Sequence, residues 1–369
     1  MEKSFFAAEK SNRVPVKKAA DERERKGFEM AKREKNTPKK EGRTRTTKGL
    51  GAGNANHSLR FGNALNLWLD SARINLKASS YAKYFNLINN HIQPALGRYL
   101  LSELSGSVLN AYAAEKLKSG RRNADGGLSE KTVRDIMVII KSALRFAREE
   151  SSLPTMNIKI NLPRSKTKKP RVLSKDEQAA LEKYLCADMD ECKLGVLLCL
   201  YTGLRIGEIC ALKWCDIAMR DGTLTVSRAM QRTQTLDTAC LSKTKVFVTE
   251  PKSERSTRTI PLPDCLMGTL KKFHPASQNA YFLTGEVGRY VEPRTYQNRF
   301  KSYIAACGVK GANFHSIRHT FATRCVEVGF EIKSLSEILG HACVKITLDR
   351  YVHSSFDLKR DNMNKLNYL

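Results

Sequence analysis

From Leu59 onward the apolar positions fall into a helical rhythm. Leu65, Trp68, Leu69 and Ala72 recur at i, i+3, i+4, i+7 and mark one helix face. Tyr81, Phe85, Ile88 and Ile92 mark a second, predicted to stop at Pro94 and Gly97. A third helix is predicted over 107–118. After Gly126 and Gly127, Ser129 is placed to cap a long helix whose face is Val133, Met137, Ile140, Leu144 and Ala147. The rhythm then lapses in SSLPTMNIKINLPRSKTKKPR, which reads as a linker. It resumes at Leu173, where Ser174 and Glu177 have the spacing of a capping box and a helix should run to Leu185. Another helix is predicted over 193–201. Strands are predicted over 223–227, 246–249 and 257–262, from β-branched residues and the turn signal Asp221-Gly222. The chain is then helical again.

These patterns predict a mainly α chain with a small antiparallel β-sheet, an α+β architecture. Residues 58–152 form an all-helical domain, 153–172 a basic linker and 173–353 a second domain, leaving a tail at 354–369. Residues 1–57 stand apart: dense in charge and poor in large apolar groups, they cannot bury enough surface to offset their ordering entropy. They read as a basic, mobile arm with helical character around 19–35.

Composition narrows the partner. The chain has 369 residues, enough for two domains, and 41% of them are hydrophobic, enough for real cores. Its formal net charge of +27 calls for a polyanion, with nucleic acid ahead of an anionic membrane surface. The longest apolar run, Leu194 to Leu204, is interrupted by Tyr201 and Gly203 and is too short to span a bilayer. The N-terminus has no secretory-type apolar core, so the expected location is the cytoplasm, on the nucleoid. All 10 cysteines lie beyond residue 185 at irregular spacings without a C-x-x-C pair, which fits reduced core residues better than disulfides or zinc.

Four clusters carry candidate chemistry. In Tyr201-Thr-Gly-Leu-Arg205-Ile-Gly-Glu208, Gly203 permits a tight turn, Arg205 opens a helix and Glu208 lies one turn on. Alone, this reads as a surface ion pair. In Lys252-Ser-Glu-Arg-Ser-Thr-Arg258, Lys252 falls in a predicted turn between two strands; a turn lysine is usually only solvated. In His315-Ser-Ile-Arg318-His319, His315 shares a helix face with Arg318 and with His319. The His pair invites a zinc reading, but Ser316 stands where zinc proteases need Glu, so no metal is expected. In Leu339-Gly340-His341, Gly340 lets His341 stand at a turn, and Tyr351 follows ten residues later. A lone tyrosine of this kind is most often a half-buried packing residue.

Together the four make one chemical kit. Attack on a phosphodiester needs a nucleophile, charge stabilisation on the non-bridging oxygens and a proton for the leaving 5′-oxygen. The planar arginine fork suits two oxygens at once. The sequence has no glycine-rich phosphate loop and no clustered acidic metal site.

This ordered series of Arg, Lys, His-x-x-Arg, Leu-Gly-His and Tyr resembles the tyrosine recombinases, especially the integrases of conjugative transposons and temperate phages. The resemblance runs from Leu59 to the end and includes SSYAKYFNLINNHIQPALG, which looks like the family's core-binding segment. It implies a SAM-like core-binding DNA domain at 58–152 and a catalytic tyrosine-recombinase domain at 173–353. It implies that Arg205 and Arg318 hold the scissile phosphate, with Glu208 supporting Arg205, and that His341 adds a hydrogen bond. Lys252 would be the general acid, His315 a base or hydrogen-bond partner, and Tyr351 the nucleophile that becomes a 3′-phosphotyrosine.

By the same resemblance no cofactor, metal or ATP is needed, and four protomers act on two double-stranded DNAs, with accessory DNA-bending or excision-directing proteins as further partners. The tail at 354–369 would dock on a neighbouring protomer. Ser253 stands where the family often has Thr, and Ala342 and Cys343 replace small polar residues; neither change removes a catalytic group. The arm at 1–57 lacks the strands of the family's β-rich arm-binding domain. Rival readings are a Xer-like resolvase, an invertase or a relaxing topoisomerase with the same chemistry, and a non-catalytic DNA-binding relic.

Overall fold

A computed structural model describes residues 60–122, 124–150, 161, 170–235, 244–249, 257–351, 360 and 363–364. The arm at 1–57, nearly all of the linker, Lys252 and most of the tail lie outside the described residues. The described chain is dominated by helices and has two small antiparallel sheets, the α+β class that the periodicities predict. Among the described residues, no helix is long and apolar enough to cross a membrane.

The N-terminal helical part consists of α1 (Phe61–Arg73), α2 (Ala78–Leu87), a π-helical turn (Ile88–Ile92), α3 (Gln93–Leu96), α4 (Gly106–Ser119) and α5 (Glu130–Glu150). Its core is the set of faces that the helical rhythm brings together: Phe61, Leu65 and Leu69 of α1, Leu87, Ile88 and Ile92, Leu109 of α4, and Val133, Met137, Ile140 and Leu144 of α5. The second helix ends at Gly97, as predicted, but is not stopped by Pro94. It passes through the π-turn and continues to Leu96, with Pro94 in the first turn of α3. A proline there lacks only an N–H that a helix start leaves unpaired, and the widened turn before it relieves the usual ring–carbonyl clash. The Tyr112 hydroxyl donates to the His91 carbonyl inside that turn, 2.8 Å away. Trp68 sits at the edge of the core and stacks on Tyr84.

In the C-terminal part, α6 (Lys175–Ala187) begins at a complete capping box. The Glu177 amide donates to Ser174 Oγ at 3.1 Å, and the Ser174 amide to the Glu177 carboxylate at 2.8 Å. Next come α7 (Glu191–Thr202), α8 (Ile206–Ala211), a 3-10 turn (Trp214–Asp216) and strands β1 (Ile217–Ala218), β2 (Thr223–Val226), β3 (Ala229–Gln234), β4 (Thr244–Thr249) and β5 (Arg258–Pro261). Helices α9 (Asp264–Phe273), α10 (Pro293–Ala306), α11 (Phe314–Glu327), α12 (Ile332–Leu339) and α13 (Val344–Tyr351) complete it. Helix α7 is buried from Cys192 to Leu200 and is the central rod of the core, which Trp214, Phe282, Tyr296, Phe300 and Phe314 fill around it.

The strands are arranged differently from the sequence expectation. Strands 246–249 and 257–262, predicted to flank Lys252 as a hairpin, belong to different sheets. β4 pairs with β3, a strand the alternation did not reveal, in the register Ala229↔Thr249 to Gln234↔Thr244. β5 pairs with β2, from Thr223↔Pro261 to Val226↔Arg258, in a sheet of order β1-β2-β5. β3 was missed because Ala229-Met-Gln-Arg-Thr-Gln234 is mostly polar and carries little β-branching. Its stability comes from a full ladder with β4. The consequence for the site is that Arg258 begins a strand whose alternate residues, Arg258 and Ile260, point into the core.

Candidate functional site

The site is built on two helix ends. Helix α7 ends at Gly203, whose φ of 65° is left-handed and whose N–H returns to the Cys199 carbonyl at 2.9 Å. A Cβ here would lie 2.6 Å from Phe321 Cδ1 and 2.9 Å from Leu339 Cδ2, so glycine is needed for both conformation and space. The turn delivers Arg205 to the start of α8. Helix α12 ends at Gly340, with φ of 62°; the Gly340 amide donates to Glu337 O and the His341 amide to Ser336 O. These two bonds are a Schellman motif, so Leu339-Gly340-His341 is a helix stop that sets His341 just past the end.

Three arginines converge on the carbonyls this stop leaves exposed. Arg258 Nε donates to Ile338 O (2.6 Å), Arg318 Nη2 to Leu339 O (2.6 Å) and Arg205 Nη2 to Gly340 O (3.0 Å). The fork of Arg318 also reaches Gly203 O with Nη1 at 2.7 Å, tying the ends of α7 and α12 together. Unpaired carbonyls at a helix C-terminus carry partial negative charge, and cations there are favourable.

Among the described residues, Glu208 is the carboxylate that these arginines meet. It accepts from Arg205 Nη1 at 2.6 Å, from the Arg205 amide at 2.8 Å and from Arg258 Nη2 at 2.8 Å. Glu208 and Arg258 are 7% and 6% exposed, so this is a buried pair. Burial pushes the Glu208 carboxyl up, but the hydrogen bonds and charge of Arg258, and the charge of Arg205, outweigh it and bring its pKa down to about 2. Arg318 is 2% exposed. Burial, then Arg205, lowers its pKa, with Glu208 opposing. Among the described residues, three guanidinium groups face one carboxylate, a positive excess that an anion would relieve.

The remaining groups stand beside this cluster. His341 accepts from, or donates to, Thr347 Oγ1 of α13 through Nδ1 at 2.8 Å, and burial followed by Arg318 and Arg205 lowers its pKa to about 3. It is a neutral ring at neutral pH. Tyr351, at the end of α13, is 6% exposed, and its ring lies parallel to His341 with centroids 6.4 Å apart. Burial raises the Tyr351 phenol, while Arg318 and Arg350 pull it back. Its hydroxyl is 2.7 Å from Nδ1 of His319, not of His315. His315 is exposed and meets His319 edge-on, with centroids 4.5 Å apart. Partial desolvation, then Arg318, lowers the His315 pKa.

Of the residues singled out in the sequence, Arg205, Glu208, Arg318, His341 and Tyr351 are therefore brought into one neighbourhood, with His315 at its edge. Lys252 lies outside the described residues. Two members were missed in the candidate site. Arg258 stands 50 positions from Glu208, and no local spacing links them. His319 did carry a signal, its i+4 relation to His315, but that spacing was weighed only as a zinc site. Among the described residues, no group of three or more His, Cys, Asp or Glu could hold a metal ion.

Comparison with known proteins gives this arrangement a context. A tyrosine recombinase XerC-like protein of Caldanaerobacter subterraneus subsp. tengcongensis is 27% identical over 332 residues, covering 84% of this chain and 83% of that protein. The ICEBs1 integrase of Bacillus subtilis is 23% identical over 329 residues, covering 85% and 84%. The fold is shared with the Tn1549 transposon integrase in complex with a circular intermediate DNA, with a TM-score of 0.67, 21% identity and coverage of 84% of this chain and 100% of that one. It is also shared with a lambda integrase dimer bound to a core site, with a TM-score of 0.57, 18% identity and coverage of 81% and 79%. Residues 60–117 match the N-terminal SAM-like domain of phage integrases. Residues 171–357, half of the chain, match the phage integrase family itself, and with the arginine–histidine–tyrosine cluster they place this protein in that family.

Proposed function

We propose that the chain is a site-specific DNA recombinase that breaks and rejoins strands through Tyr351, integrating and excising a mobile element. The observation that carries this is the convergence, among the described residues, of Arg205, Arg258 and Arg318 with one carboxylate beside a buried tyrosine hydroxyl. Arg205 and Arg318 contact the non-bridging oxygens of the scissile phosphate, Glu208 fixes Arg205, and neutral His341 donates a further hydrogen bond. As the Tyr351 oxygen bonds to phosphorus, the bond to the 5′-oxygen breaks and that oxygen takes a proton, which Lys252 supplies. The 3′-phosphotyrosine conserves the energy of the broken ester, so a 5′-hydroxyl of a partner strand reverses the step without ATP or metal. Residues 58–152 and 173–353 grip the duplex as core-binding and catalytic domains, and the basic arm at 1–57 adds charge. A lambda integrase tetramer is seen on a Holliday junction, and the same assembly is proposed here.

A nicked duplex whose 5′-flap diffuses away on cleavage traps the covalent adduct. Wild-type protein should accumulate it, and Tyr351→Phe should bind the same DNA without forming it. Adduct of undiminished yield in Tyr351→Phe would remove Tyr351 from the role, and no adduct with the wild type on its own element ends would leave a binding protein only. ICEBs1 and Tn1549 integrases among the relatives favour element mobility; relatives named tyrosine recombinase XerC-like and XerA favour a Xer-like resolvase or invertase with the same chemistry as a second reading.

A further inference from the structure

The buried tyrosine hydroxyl has a partner that the catalytic series in the sequence does not include. His319 is 9% exposed on α11, immediately after Arg318, and its Nδ1 lies 2.7 Å from the Tyr351 hydroxyl. The direction of this bond depends on which ring nitrogen of His319 carries the proton. With the ring proton on Nε2, Nδ1 is a lone-pair acceptor and the Tyr351 O–H donates to it. A hydroxyl donating to an imidazole nitrogen is the arrangement in which an adjacent base activates a nucleophile.

We propose that His319 is the general base for Tyr351, taking the phenol proton onto Nδ1 as the tyrosine oxygen attacks phosphorus. The proposal rests on the recombinase reading above. In the forward step the O–H bond breaks and its proton passes to Nδ1. The oxygen–phosphorus bond forms, the bond from phosphorus to the 5′-oxygen breaks, and that oxygen is protonated by the acid on the opposite side. One proton is taken up at His319 and one delivered at the leaving oxygen, with no change of oxidation state. In rejoining, His319 returns its proton to the phenol.

The surroundings supply the base in the right form. On its own helix His319 faces His315 and Arg318; from α13 it faces Arg350 and Tyr351. Burial, then His315, Arg350 and Arg318, lowers its pKa to about 4, so at neutral pH the ring is neutral and can accept. A DNA phosphate entering beside Arg318 brings negative charge and makes the ring more basic when the proton moves. His315, the other histidine of the motif, has its edge against His319 and so stands behind the base as a neighbour of its ring.

The test uses the full-length protein on the nicked duplex in single turnover, with gel-shift binding measured alongside. His319→Asn retains an oxygen that can accept the phenol hydrogen bond but cannot take its proton. His319→Gly removes the ring and opens a space for added imidazole. Both should bind DNA as the wild type does and cleave it on the order of a hundredfold more slowly, the usual contribution of general base catalysis. Added imidazoles should restore cleavage by His319→Gly, faster as the imidazole is more basic, and should not restore Tyr351→Phe. Cleavage by His319→Asn within a few-fold of wild type would overturn the proposal, because then only the hydrogen bond matters. So would rescue of His315→Gly by imidazole without rescue of His319→Gly, or no rescue at all. Wild-type adduct formation in the same series keeps these outcomes separate from failure of the recombinase reading, in which the wild type itself would form none.

Discussion

Replacing Glu208 by Gln keeps the side chain's shape and removes its charge. In the native protein the carboxylate faces Arg205 and the buried Arg258, and its pKa falls from 4.5 to about 2. A shift of that size corresponds to about 3 kcal/mol of folding stability at neutral pH. Cutting one partner from a buried ion pair leads to a similar figure, roughly 3–5 kcal/mol, since the other charge is left uncompensated. For a domain of this size, the melting temperature of Glu208→Gln should drop by roughly 6–12 °C at pH 7. The folded pKa is the lower one, so the contribution is complete above the unfolded value of 4.5 and is lost as pH falls toward 2. The gap between wild type and variant should therefore hold from pH 7 to about 5 and close below it. Sulfate, or a short duplex, should stabilise the variant more than the wild type, because an anion replaces the missing charge. Melting curves followed by circular dichroism across pH, with and without sulfate, measure all of this. A gap under 2 °C at pH 7, or one that persists unchanged to pH 2.5, would refute the idea that Glu208 holds the cluster together by charge.

Arg318→Lys keeps the charge but cannot span Gly203 O and Leu339 O together; single-turnover cleavage should slow on the order of a hundredfold with binding kept, and near-normal cleavage would take Arg318 out of the site. Gly203→Ala puts a Cβ into Phe321 at a left-handed φ and should cost roughly 1–3 kcal/mol in denaturant unfolding. Lys252→Ala should cleave normal DNA poorly yet recover most of its rate when the 5′-bridging oxygen is sulfur, whose thiolate needs almost no proton. Arg318→Ala should not recover on that substrate, and equal behaviour of the two variants would move the acid role elsewhere.

Much of this protein can be read directly from its residues. Helix faces such as Val133, Met137, Ile140 and Leu144 are visible because burial repeats with the helical period, and the Ser174–Glu177 capping box because its two bonds join neighbours in the chain. Gly203 and Gly340 mark helix ends for the same reason: the bonds that stop a helix are local. The kit of Arg205, Arg318, His341 and Tyr351 was legible as residue types in order.

What only the tertiary structure decided was which groups touch. Pairing of β4 with β3 and of β5 with β2 depends on ladders between distant segments, and β3 carries too little β-branching to announce itself. That pairing turns Arg258 inward onto Glu208, across 50 positions, and so creates the buried counter-charge. The end of α12 draws three arginines from α8, β5 and α11 to three successive carbonyls, and α13 lays the Tyr351 hydroxyl against His319 and not His315. Chain-local patterns report periodicity and caps, whereas a hydrogen bond between helices is set by how their packed faces bring side chains together, and that is a property of the whole core.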